Sequence, residues 1–365
     1  MTLSTTFPAD YGAARARFRE AAQRIGWRLE AHPIEAIGPG REALTIDVAS
    51  SATEDADNVL VISSGLHGVE GFFGSAVQTV LLERWASSAS PPVRCVFLHA
   101  LNPYGFAWIR RPNENNVDLN RNFLLPHEAF EGAPEGFARL DPFLNPRRPP
   151  SRWELYTLKA LWLIAKHGLF SLKQAIAAGQ YEFPKGLFFG GAGPSQTQLL
   201  LAEHMPRWLG GSARVVHLDF HTGLGPMASW KLLIDYPLTT AQRNWFAEAF
   251  GTDSFEESDP RGVGFDARGG FGQWCVFRNL ASEYLFACAE FGTYSPIKVL
   301  AGLRAENQAH HWGEPASART AAVKKELKEL FCPASAEWRR EVIEQSFEIV
   351  ERAILALVKG PASED

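Results

Sequence analysis

Four short stretches of the chain carry side chains that bind metals or move protons. In "GLHGVEG" His67 and Glu70 stand three residues apart among glycines, directly after the apolar run 59–62. "WIRRPNENNVDLNRNF" follows another apolar run and gathers Arg110, Arg111, Asn120 and Arg121. "HLDFHTG" ends a third run with Asp219 and His221, and "CAEFGTY" ends a fourth with Glu290. Two imidazoles and a carboxylate form a His₂Glu donor set suited to one zinc ion, here His67, Glu70 and His221, with Glu290 as the base beside it. Guanidiniums with an amide suit a carboxylate or a developing oxyanion.

Each group lies where a strand-like run gives way to glycine, the place where α/β proteins bind ligands. Strands are expected at 42–49, 58–65, 93–101, 213–221, 230–236 and 282–292. Helices are expected at 9–30, 72–86, 152–178, 195–208, 239–249, 297–311, 318–331 and 335–357. The alternation predicts an α/β fold, a single domain with a mixed sheet flanked by helices. Residues 124–150 contain six prolines and no clear periodicity. They open a long insertion, about 124–210, expected to lie over or beside the site rather than to form a separate core.

The 365 residues are 46% apolar, enough for a sizeable core. A net charge of -5 argues against nucleic-acid or acidic-membrane partners. Four cysteines without a C-x-x-C pair give neither a zinc ribbon nor a disulfide scaffold. There is no run of 18 apolar residues and no signal-peptide core near the start, so the expectation is a cytoplasmic protein without a membrane span.

The ordered set H-x-x-E, "NPYG", arginine, "DLNRNF", "DFHTG" and "AEFGT" resembles the zinc carboxypeptidase family over roughly residues 40–310. That broad family includes the succinylglutamate desuccinylase and aspartoacylase branch. The nearest likeness is to a bacterial branch of largely unassigned function. The resemblance implies His67, Glu70 and His221 as ligands of one Zn²⁺, with an open fourth position. It implies Asn120 and Arg121 as the grip on a substrate carboxylate. It further implies Arg111, with Arg110 as the neighbouring alternative, polarising the scissile carbonyl, and Glu290 as general base.

One departure bears on substrate. Carboxypeptidases of this family carry a tyrosine on a mobile loop between the third ligand and the base, whereas residues 237–283 contain none. That span instead holds a glycine-rich loop with Arg261, Asp266 and Arg268. A small peptide or an N-acyl amino acid is therefore the expected substrate. The reaction would be carboxypeptidase-like, or alternatively deacylation; a catalytically inactive metal-binding protein is the third reading.

Ordinary roles account for several other residues. Asp219 is expected to orient His67 through its second nitrogen. His217, His99, His310 and His311 read as structural histidines. Ser195 in "GGAGPSQTQ" reads as a helix N-cap, because the phosphate-loop G-K-[ST] is missing. "RRPP" with Trp153 reads as a solvated rim of the insertion.

Overall fold

Long apolar runs become strands buried on both faces at the centre of one eight-stranded sheet. In the computed structural model these are β3 (Asn58–Ser64), β4 (Arg94–His99), β5 (Arg214–Thr222) and β8 (Glu283–Phe291). They lie in the order β4-β3-β5-β8, mutually parallel. Strands covered by helices on both sides have no solvent face, hence their unbroken apolar sequence. The structure describes residues 6–51, 57–88, 90–151, 153–168, 172, 176, 178–257 and 268–359.

Antiparallel strands flank this block. β2 (Ala43–Ser50) pairs with β4, and β1 (Arg28–Ile37) pairs with β2. On the far side β6 (Trp230–Ile234) runs antiparallel to β8 and carries β7 (Phe255–Glu257) at the edge. The sheet is thus mixed, as expected. β1 was not legible as a strand, because residues 9–30 read as one helix. The helix, α1 (Tyr11–Arg24), stops short; Gly26 then takes φ +72 and turns the chain into an edge strand with polar residues and Pro33.

α2 (Gly71–Ala86) and the short α3 (Pro103–Ala107) flank the first half of the chain. The insertion contributes α4 (Phe137–Leu144), α5 (Tyr156–His167) and α6 (Gln196–Leu209). α4 was not expected, and α5 is shorter than the 152–178 expectation because Gly168, at φ +78, ends it. Ser195 caps α6 as expected, accepting a bond from the Gln198 amide. Later described helices are α7 (Thr240–Phe250), α8 (Phe271–Phe277), α9 (Pro296–Trp312), α10 (Ala318–Phe331) and α11 (Ala336–Lys359).

One hydrophobic core spans the sheet and its helices. Phe137, Leu140, Leu144 and Leu172 form a small apolar cluster within the insertion. The insertion lies against the site: the Tyr181 hydroxyl donates to the Arg121 carbonyl, and the Phe188 ring faces the Arg111 guanidinium. From β3 the chain crosses to β4 on one side, and β5 later joins on the other. This reversal opens a crevice beyond the C-terminal ends of β3 and β5.

Candidate active site

His67 and Glu70 sit on the turn between β3 and α2. Gly68 is required there: a Cβ would meet the Gly105 backbone at 2.1 Å. The Gly68 and Val69 amides donate to the carbonyls of Arg111 and Arg110 (3.1 and 2.8 Å), pinning the arginine segment alongside the turn. Strand register then aligns the rest. His221 of β5 stands beside Glu290 of β8, and Asp219 lies between Ser63 and Cys288.

Donor atoms of His67, Glu70 and His221 lie within 4.8 Å of one another, all on buried residues. Nδ1 of His67 is 2.9 Å from Glu70 Oε1, Nδ1 of His221 is 2.9 Å from Glu70 Oε2, and the two Nδ1 atoms are 3.2 Å apart. His221 presents its Nε2 to Asp219 Oδ2 at 2.6 Å. With that nitrogen protonated, the Nδ1 lone pair points at a carboxylate and another imidazole, an arrangement that needs positive charge at its centre. A proton can provide it: burial opposes the charge, but Asp219 and Glu70 push the His221 ring well above the ordinary histidine range. Burial would likewise raise Glu70, yet His67 and His221 outweigh it and hold the carboxyl below its usual range. A divalent cation fits the same point, and the donor set suits zinc.

Asp219 therefore holds His221, not His67 as expected from sequence. The two residues share one face of β5, two positions apart. His67 instead faces Asp118, with Nε2 3.2 Å from Oδ1. Asp118 also accepts from Arg111 Nε at 2.9 Å, and Arg111 Nη2 lies 2.7 Å from His67 Nε2. Burial would raise Asp118, but Arg111 and His67 outweigh it and hold the carboxyl well below its usual value. Its signal was the acid opening "DLNRNF", two residues before Asn120.

The neighbouring arginines point opposite ways. Arg111 lines the cavity with Asn120, Arg121 and Glu290. Arg110 does not reach it: fully buried, it bonds Glu306 Oε1 at 2.8 Å and Asn116 Oδ1 at 3.0 Å. The expectation of a substrate-facing Arg110 is thus corrected, and its ion pair fixes α9 against the arginine segment. Asn120 accepts from the Phe271 amide at 3.0 Å through Oδ1.

Glu290 accepts from the Leu224 amide at 2.8 Å. A Glu290 oxygen, the Cys288 sulfur and a His221 nitrogen lie within 4.8 Å of one another. Burial, then the charge of Glu70, pushes the Glu290 carboxyl up to about 7. A carboxylate poised there is suited to accept and return a proton.

These groups share a cavity of about 310 Å³. Its floor includes Asp235, which sequence reasoning missed. Asp235 Oδ1 is buried and accepts no hydrogen bond among the described residues. Burial pushes that carboxyl up to about 6, against the pull of the Gln273 and Gly272 amides. His217 is a buried histidine, as expected, but it is linked to the site: Tyr284 Oη contacts its Nδ1 (2.9 Å), and Ser63 Oγ joins its Nε2 (2.7 Å) to Asp219 Oδ1 (2.6 Å). Of the glycine-rich loop, Arg261 and Asp266 lie outside the described residues. Arg268 turns to the insertion, donating to the Ala129 and Glu131 carbonyls.

Residues 7–345 match the family described as "Protein of unknown function (DUF2817)". The chain belongs to that family. No curated protein matches the sequence. Among solved structures, this DUF2817 chain is similar to thrombin activatable fibrinolysis inhibitor, with TM-score 0.51 and 14% identity over 96% of this chain and 74% of the other. The bovine protein, in complex with tick carboxypeptidase inhibitor, gives TM-score 0.52 and 11% identity over 97% and 98% of the two chains. Carboxypeptidase A from Helicoverpa armigera aligns at TM-score 0.46 and 14% identity, over 90% and 75%. The DUF2817 chain shares the α/β fold of thrombin activatable fibrinolysis inhibitor. Among its described residues, no helix is long and apolar enough to cross a membrane.

Proposed function

We propose that the protein is a zinc-dependent hydrolase of an amide bond next to a substrate carboxylate, acting as a metallocarboxypeptidase. The observation that carries this reading is the convergence of His67 Nδ1, His221 Nδ1 and the Glu70 carboxylate, with Glu290 in register beside His221. His67, Glu70 and His221 would hold the ion. A bound zinc ion supplies a Lewis acid and makes water at that point more acidic.

The chain's own residues divide the remaining work. Glu290 takes a proton from the attacking water and returns it to the nitrogen as the C–N bond breaks, releasing an acid and an amine. Arg111, anchored by Asp118, presents its guanidinium to the carbonyl oxygen as negative charge develops. Arg121 and the Asn120 amide grip the carboxylate of the leaving amino acid. Asp118 and Asp219 fix the two histidine rings.

Deacylation of an N-acyl amino acid is the second reading, favoured by the lack of any tyrosine from 237 to 283. It uses the same groups. Incubation of the zinc-loaded protein with mixed peptides and N-acyl amino acids, with products identified by mass spectrometry, separates the two. Release of C-terminal residues from peptides supports the first reading, release of acyl groups alone supports the second, and no product from either set overturns both.

A further inference from the structure

The cavity extends away from the metal-binding trio into the insertion. Leu140 and Phe143 of α4, Leu163 and Ile164 of α5, and Leu300 of α9 line that extension. The insertion's small cluster is therefore not closed on itself but opens onto the site. An unfilled apolar space forfeits packing contacts and holds water poorly, so such a chamber is suited to an apolar guest. Its position identifies which guest. Phe188 of the insertion packs on Arg111, whose guanidinium centre is 5.6 Å from the ring centroid. Arg121 feels the charges of Asp118 and Asp235, and the Tyr181 hydroxyl donates to its carbonyl. Leu303 of α9, one turn from Leu300, lines the cavity and shares a recess with Phe188 and Arg111, so the α9 wall of the chamber leads to the arginine proposed to face the carbonyl, while Arg121 has charged and polar neighbours.

We infer that the chamber takes the acyl side of the substrate, and that this acyl side is an extended apolar group, an aliphatic chain of several methylenes. This rests on the amide-hydrolase reading for the placement of the reacting bond, but the chamber's preference for an apolar guest is measurable without turnover.

The test compares acetyl, octanoyl and N-blocked leucyl derivatives of one amino acid, in two arms. In the first, kcat/KM of the zinc-loaded enzyme should rise steeply from acetyl to octanoyl, up to about fourfold for each methylene that is buried. In the second, calorimetry on the zinc-loaded Glu290→Gln protein should show the octanoyl compound binding at least tenfold more tightly than the acetyl one. Ala160→Phe, which fills the chamber from α5, should narrow the octanoyl-to-acetyl ratio in both arms. Leu300→Ala, which enlarges it, keeps the test decisive if the first variant fails to fold. Octanoyl binding without any hydrolysis would sustain the chamber and sink the hydrolase reading. Hydrolysis with equal acetyl and octanoyl constants would sink the chamber and sustain the hydrolase. A blocked-leucyl compound that binds and reacts better than octanoyl would overturn the aliphatic-chain assignment in favour of a peptide side chain.

Discussion

Asp118 lies between a histidine and an arginine, its Oδ1 3.2 Å from His67 Nε2 and its Oδ2 2.9 Å from Arg111 Nε. One carboxylate therefore sets both the His67 ring and the Arg111 guanidinium, the groups proposed to face the metal ion and the substrate carbonyl.

Asp118→Asn keeps the shape but removes the charge that holds both partners. Loss of a carboxylate behind a metal-binding histidine weakens affinity about 10- to 100-fold. Zinc titration against a competing chelator should show this loss, together with a fall in kcat. Unchanged zinc affinity would mean that His67 is oriented without Asp118.

Arg110 and Arg111 should separate stability from chemistry. Arg110→Met leaves Glu306 buried with Lys324 as its remaining cationic partner, and breaking such a pair costs about 3–5 kcal/mol. Arg111→Met should lower kcat far more than it lowers the unfolding midpoint in urea. The Glu306 pair also predicts a pH dependence. Burial raises that carboxyl, but Arg110 and Lys324 outweigh it and hold it down at about 2. A folded value below the unfolded one gives stability that is present above about pH 4.5 and lost as pH falls toward 2. Glu306→Gln should flatten that acid limb in urea melts.

Arg121→Ala should weaken turnover of free-acid substrates about 10- to 100-fold, the scale of a charge-assisted bidentate pair. Amidated counterparts should lose much less. Equal losses on both would place the carboxylate grip elsewhere.

Glu290 must be ionised to accept a proton, and its carboxyl is pushed up to about 7 by burial and Glu70. Activity should therefore fall as pH drops through or below that value, the limb lying lower with a cation beside Glu70. The limb should be absent from the residual kcat/KM profile of Glu290→Gln. An identical acid limb in the variant would assign it to another group.

Much of this site was legible because its residues close long apolar runs. β3, β5 and β8 are buried on both faces, so their sequence announces them, and the polar residues at their ends fall into register. The edge strand β1 was hidden because only Ile34 of its ten residues is buried, so no apolar alternation marks it, and it contains Pro33. The partner of Asp219 was misread because face parity places it near the site but does not say which ring it meets. Arg110 and Arg111 differ only in which way an adjacent side chain points, and that is set by the backbone bonds to Gly68 and Val69. The apolar chamber depends on residues as distant in sequence as Leu140 and Leu300, whose meeting no local pattern records.

A zinc ion held by His67, Glu70 and His221 is proposed to work with Glu290 as base. The most direct measurement is zinc content and turnover on the same preparations of wild type and Glu290→Gln. One zinc per chain should be retained in both, because Glu290 is not among the three proposed ligands. Turnover of the variant should fall about 10²- to 10⁴-fold, the usual contribution of a positioned proton acceptor. Nearly full turnover with zinc still bound would contradict the account.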